Sequence, residues 1–271
     1  MKRASLLAIV LAAGLGACAT APTRPPRPTA TGAAVDPATA ESLLGRMRSA
    51  AGERQSLRGV AQLSFDGAAG SVRSKQAIVV ELPGKLRIEV LGFLSQALAV
   101  LVTDGQEFEL FKAEDRSRRR GEVYPGLLME VGQIDLTPEE GAALLLGSPP
   151  EMPDLRLASA VGLSDGGVGL DRVDSRGVLR ERLDFAADGR VQRVERYEVN
   201  QRLVWSVDYR DYRDAGGIDF AHTLVLWFPS SQTTVELVFK QVELNPTLPS
   251  GVFTLQRASR LEPAGEAGHA G

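Results

Sequence analysis

Lys85-Leu86-Arg87-Ile88-Glu89-Val90-Leu91-Gly92-Phe93-Leu94-Ser95-Gln96 runs directly into Ala97-Leu98-Ala99-Val100-Leu101-Val102-Thr103. Leu86, Ile88 and Val90 alternate with Arg87 and Glu89, a period of two that puts apolar side chains on one face of a strand and charges on the other. Residues 97–103 supply a returning strand, so the stretch predicts an antiparallel hairpin. Its link is unusual. A solvated hairpin turn is normally polar, yet this one presents Leu91, Phe93 and Leu94 beside Gly92. Apolar residues at such a tip either meet a partner or a membrane, or fold back beneath a helix, and the sequence leaves both open.

The same period extends outward in both directions. Leu57, Ala61, Leu63 and Phe65 alternate with Arg58, Gln62 and Ser64, and Val72, Ile78 and Val80 with Arg73, Lys75 and Glu81. Turn chemistry stands between the strands at Asp66-Gly67, Pro83-Gly84 and Asp104-Gly105. Residues 107–112 continue the meander, and a second series follows at 168–173, 178–185, 190–197, 202–212, 218–228 and 233–244. Helical signals occur twice. Asp36-Pro37 can cap and start a helix carrying Leu43, Leu44 and Met47 to a stop at Gly52. Thr137-Pro138-Glu139-Glu140 is a capping box before Ala142, Ala143, Leu144, Leu145 and Leu146, stopped by Gly147 and two prolines. A mainly β domain over 37–258 is expected, with about eleven strands. A meander of that length must close or curl, and two amphipathic helices would plug the opening.

The chain has 271 residues, 44% hydrophobic and 24% charged, enough for a sizeable core, and its net charge of −3 is mixed in sign. No broad positive field exists for a nucleic-acid backbone, so nucleic acid is not expected as a partner. One cysteine excludes a disulfide framework and a cysteine-rich metal site, and two histidines leave little for a metal centre or a Ser-His-Asp triad. That cysteine is Cys18. Lys2 and Arg3 precede an apolar run too short to span a bilayer, so residues 1–17 read as an export signal. The signal ends in Leu15-Gly16-Ala17-Cys18, which resembles the bacterial lipobox; Cys18 is then the lipidated first residue of the mature protein. Ala19 in place of an aspartate favours the outer membrane, with the domain lipid-anchored and facing the periplasm. Residues 18–36, with Pro22, Pro25, Pro26 and Pro28, read as a tether, and 259–271 as a disordered tail.

Polar candidates for chemistry have plainer explanations. Glu139 and Glu140 belong to the first turn of a capped helix. His222 shares parity with Phe220, Leu224 and Leu226 and reads as a hydrogen-bonded interior histidine. Arg116, Arg118, Arg119 and Arg120 would either meet anionic head groups or form a solvated loop or charge-protected edge strand. No nucleophile, base and oxyanion donors converge, so neither an enzyme nor a cofactor or metal site is expected. The inward positions Leu86, Ile88, Val90, Leu203, Trp205 and Val207 are the candidate lining of a cavity suited to aliphatic ligands.

In the lipobox, the helix at 43–47, the hairpin with its apolar link, the insert ending Leu144-Leu145-Leu146-Gly147 and the late Pro249-Ser250-Gly251-Val252-Phe253-Thr254-Leu255, the chain resembles the LolA and LolB lipoprotein-sorting family, LolB-type outer-membrane lipoproteins above all. The resemblance spans roughly residues 40 to 257 and implies an incomplete, strongly curved antiparallel β-barrel, with the N-terminal helix and central insert as a lid over a cavity for acyl chains. It further implies that Leu91, Phe93 and Leu94 form a membrane-contact loop, and that a soluble periplasmic carrier protein delivers lipoprotein acyl chains. The alternative is a non-enzymatic structural or adaptor lipoprotein whose barrel is filled by its own side chains and which binds an envelope protein.

Overall fold

The computed structural model describes residues 26–68, 70–150 and 152–255; Cys18 and the expected signal and tail lie outside them. The first strand series is β2 (Ser56–Gly67), β3 (Gly70–Glu81), β4 (Lys85–Leu91), β5 (Ala97–Thr103), β6 (Glu107–Lys112) and β7 (Ser117–Glu122). The second is β8 (Arg156–Leu163), β9 (Val168–Val173), β10 (Leu179–Phe185), β11 (Val191–Tyr197), β12 (Leu203–Asp214), β13 (Asp219–Phe228) and β14 (Thr233–Leu244). A short β1 (Ala30–Ala34) precedes both. All fourteen strands form one sheet in the order β1-β8-β9-β10-β11-β12-β13-β14-β2-β3-β4-β5-β6-β7, antiparallel throughout. The sheet is strongly curved and open, an incomplete barrel with edges at β1 and β7.

Three strands exceed the expected eleven. β7 is the arginine run, which carries no alternation to read; β8 is a run of small residues; β1 lies inside the expected tether. The tether therefore meets the domain earlier than its composition suggests. Ala34 pairs with Val161, Thr29 N donates to Ser164 Oγ at 3.1 Å, and Arg27 grips Asp184 with bonds of 2.6 and 2.5 Å. Ladder bonds to an open sheet edge outweigh the intrinsic extended preference of a Thr-Gly-Ala segment.

The two series meet at β14 and β2, which pair over all but the end residues of β2, from Leu57 opposite Leu244 to Asp66 opposite Thr234. A bulge skips Lys240, so Ala61 faces Phe239 and Val60 faces Gln241. Gly59 sits at this kink: a Cβ there would lie 2.7 Å from the Gln241 carbonyl oxygen, so only glycine fits.

Inward side chains form a continuous row across the concave face: Leu170, Leu183, Val194, Val207 and Leu226 lie opposite one another strand by strand. Helix α1 (Pro37–Gly52), capped by Asp36 accepting from Thr39 N at 3.2 Å, buries Ala40, Leu43 and Leu44 in the same core. Outward positions of β9–β12 instead pair opposite charges across strands, Asp171 with Arg182 and Arg193 with Asp208, the latter by two bonds of 2.8 and 2.9 Å.

Asp184 is almost wholly buried on that outer face, and Arg27 is the residue of the N-terminal segment that neutralises it. Arg27→Ala is expected to lower unfolding free energy by about 1–3 kcal/mol, because a buried carboxylate loses its charged partner. Urea denaturation followed by circular dichroism checks this.

Candidate functional site

The lid over β3–β5 is built from two short helices. α2 (Leu127–Gly132) was not legible in the sequence, whereas α3 (Pro138–Leu145) is the expected insert. Its capping box is formed as read: Glu140 N donates to Thr137 Oγ1 at 3.1 Å and Thr137 N to Glu140 Oε2 at 2.9 Å. Gly141 lets α3 approach α2 and the sheet, since a Cβ there would stand 3.1 Å from Leu128 and 3.9 Å from Leu86. At its far end α3 is tied down by Arg54, a buried guanidinium whose Nη2 donates to the Gly147 carbonyl at 3.2 Å. Burial lowers the Arg54 pKa from its ordinary value.

Beneath this lid lie two apolar chambers. The inner one, about 90 Å³, is walled by Ile78 and Leu86 of the sheet, Leu136, Leu144 and Leu145 of the lid, and Leu224, Leu226, Phe228, Val235 and Leu237. The outer one, about 220 Å³, is walled by Phe65, Val90, Ala99, Leu101, Leu110, Val131 and Lys112. Leu63, Gln76, Ile88, Leu128 and Ile134 line both, and form the neck between them. Each chamber falls short of the ~300 Å³ at which ligand pockets begin, and the two together only reach it.

Leu86, Ile88 and Val90 therefore line the cavity, in that order from inner chamber to outer. Leu203, Trp205 and Val207 do not. Their parity is inward, but Trp205 and Val207 are packed solid in the core of the other half of the sheet, and Leu203 is only half-buried. Trp205 lies under the Arg196 guanidinium, 5.3 Å from the ring centroid, and Arg196 also donates to the Pro150 carbonyl at 2.8 Å. The Pro149-Pro150 segment and Met47 of α1 lie over that end beside Arg172 and Glu181 and line a separate pocket of about 510 Å³, in whose wall none of Leu203, Trp205 and Val207 takes part.

The link at the end of β4 is not tucked under a helix. Phe93 is 100% exposed and Leu94 82%, while Leu91 is half-buried. The tip is held rigidly: Gly92 N donates to Gln96 O at 2.8 Å, Ser95 N to Gly92 O at 2.9 Å, and Leu94 N to Gln96 Oε1 at 3.0 Å. A Cβ on Gly92 would stand 2.5 Å from the Gln96 amide, so a larger residue there would displace that side chain from its bond to Leu94 N. Val90 and Lys112 place the outer chamber at the same end of the sheet as this tip.

The other singled-out residues take structural roles. His222 is buried, its Nδ1 3.1 Å from the Phe220 carbonyl. Arg118, Arg119 and Arg120 lie in edge strand β7 and Arg116 in the turn before it; Arg119 pairs with Glu130, Arg120 with Glu107, and Arg118 lies 5.6 Å from the Phe111 ring. Gln76 was not singled out by the sequence reading, although its parity with Ile78 and Val80 marks a polar residue at an inward position. No described helix is long and apolar enough to cross a membrane.

No family model matches the chain, and no curated protein does. Solved structures do match. A DUF1329 family protein from Desulfovibrio piger superposes with a TM-score of 0.57 at 15% identity, over 81% of this chain and 98% of that one. A LolA superfamily protein from Nitrosomonas europaea gives 0.53 at 14% identity, over 80% and 97%. The chain has the LolA-like fold. A domain of a putative outer membrane lipoprotein-sorting protein from Vibrio parahaemolyticus also aligns, with a TM-score of 0.48 at 11% identity over 78% and 94%.

Thr137→Ala undoes the capping box of the lid helix and is expected to cost about 1 kcal/mol. Amide hydrogen exchange should show faster opening of residues 138–145, with the strands far from the lid unchanged.

Proposed function

We propose that this protein is a non-enzymatic acyl-binding lipoprotein of the cell envelope, attached through Cys18 to the outer membrane on its periplasmic side. It takes the acyl chains of lipoproteins from a soluble carrier and passes them to the bilayer. The observation that carries this reading is an apolar two-chamber cavity under a helical lid, its outer chamber at the same end of the sheet as the exposed, hydrogen-bonded Phe93-Leu94 tip. Transfer then needs no nucleotide, because each CH₂ keeps about 0.8 kcal/mol of burial whether it lies in the cavity or in the bilayer. The tip would enter the acyl boundary, where Phe and Leu side chains each contribute about 1.5–3 kcal/mol.

One observation favours the second reading, an adaptor with a self-filled barrel: the apolar chambers are small, and inward Trp205 and Val207 are buried in the core without lining them. Mass spectrometry of lipids co-purified with the protein separates the two. A stoichiometric acyl ligand supports the first, and an empty protein the second.

Two substitutions test the proposed parts independently. Phe93→Glu with Leu94→Glu should leave the fold and ligand content intact while delivery of cargo to liposomes falls at least about tenfold. Ile88→Trp fills the neck and should lower the bound acyl content without changing binding of the empty protein to liposomes. Metabolic palmitate labelling should disappear in Cys18→Ala.

A further inference from the structure

Among the inward residues at the neck, Gln76 is the one with a free polar atom. It is only 4% exposed, its Nε2 donates to Ser74 Oγ at 2.8 Å, and its Oε1 has no hydrogen-bond partner. Its companions at the neck, Leu63, Ile88, Leu128 and Ile134, offer no polar side-chain atom. A buried amide oxygen is normally paired, because it forfeits its bond to water without replacement. An unpaired acceptor between two apolar chambers is therefore the feature of a site that expects a donor from its ligand.

We infer that Gln76 is a specificity residue, and that the cavity selects an acyl group joined through a secondary amide over one joined through an ester. This inference rests on the proposed acyl binding and adds the class of linkage. The chain would occupy one chamber, the linkage would lie at the neck, and its N–H would donate to Gln76 Oε1. An ester offers oxygen only, so it would leave that acceptor unpaired. Sites built to hydrogen-bond a ligand reject analogues lacking the group more strongly than apolar walls discriminate by size. N-acylated lipopeptides and N-acylated glycolipids both carry this linkage.

N-methyldecanamide and methyl decanoate differ only in N–H for O, and isothermal titration of the full chain with each measures the preference. The amide carries a higher desolvation cost, so the readout is the amide-to-ester affinity ratio in the wild type divided by that in Gln76→Leu. That quotient is expected to be about ten. Gln76→Leu should bind the ester at least as well as the wild type does, which shows that the variant is folded with its cavity intact. A quotient of one or below, with both probes bound, overturns the role of Gln76 and leaves acyl binding standing. If neither probe binds to the wild type, acyl binding itself fails and the inference falls with it. N-decanoylcysteine methyl ester and N-decanoylglucosamine then separate the two sources: a Gln76-dependent gain for either supports the inference and names the source, and a gain for neither overturns it.

Discussion

The pairing of β2 with β14 is the contact on which the sheet depends. Every paired position of these strands lies more than 160 residues from its partner, and without them the chain would be two separate curled meanders. Closing so long a loop costs entropy before any contact rewards it, so the ladder must be long and its register unambiguous. Register is fixed at one end by Asn245, whose Oδ1 accepts from Gln55 N at 2.9 Å while its Nδ2 donates to the Glu53 carbonyl at 2.7 Å and its backbone N to Ser56 O at 2.9 Å. It is fixed within the strand by the bulge at Lys240, which only a glycine at position 59 permits. A slip of one residue would turn Leu57, Ala61 and Leu63 outward and move charges into the core.

Joining the series this way produces one concave face with two unlike halves. On the β9–β12 side, α1 and the Pro149-Pro150 segment bring Met47 and the Arg172–Glu181–Arg196 group over buried Trp205 and Phe185, and the pocket there has charged side chains in its wall. On the β3–β5 side the lid is only two short helices, whose leucines bridge the sheet without filling it. The apolar space therefore lies beneath the two short helices, of 6 and 8 residues, and the charged pocket beside the 16-residue α1.

This explains which parts of the molecule could be read in advance. Period-two alternation reports which face a residue occupies, and it placed Leu86, Ile88 and Val90 and also Trp205 and Val207 inward. It does not report whether that inward face meets a void or a packed helix, which depends on elements distant in sequence; hence the first three line the cavity and the last two do not. β7 and β8 escaped because arginines or small residues replace the alternation, and β1 because pairing at a sheet edge overrides composition. The Asp36 cap, the Thr137–Glu140 capping box and the turn glycines were legible because they are local, encoded in four residues or fewer. Gln76 carried its signal in plain view as a polar residue with inward parity.

The neck shows why a violated pattern is informative. A leucine at position 76 would continue the apolar wall and remove an unpaired acceptor whose burial costs about 1–3 kcal/mol. Native stability is of order 5–15 kcal/mol, so that cost is not negligible for the fold. Ser74, half-buried beside the exposed end of β3, partners only the amide nitrogen, so the Ser74–Gln76 bond leaves the acceptor oxygen uncompensated. Departures from local consistency concentrate at functional sites, because a ligand can offset there what the empty protein cannot. The rigid Phe93-Leu94 tip is a second departure of the same kind, apolar surface left in water where a polar turn would be more stable. Gln76 pairs with Val90 near the end of β4 that leads into the tip, one departure in the cavity wall and one exposed beyond that end of the sheet, and under the proposed function a single amphiphilic ligand would relieve the two together.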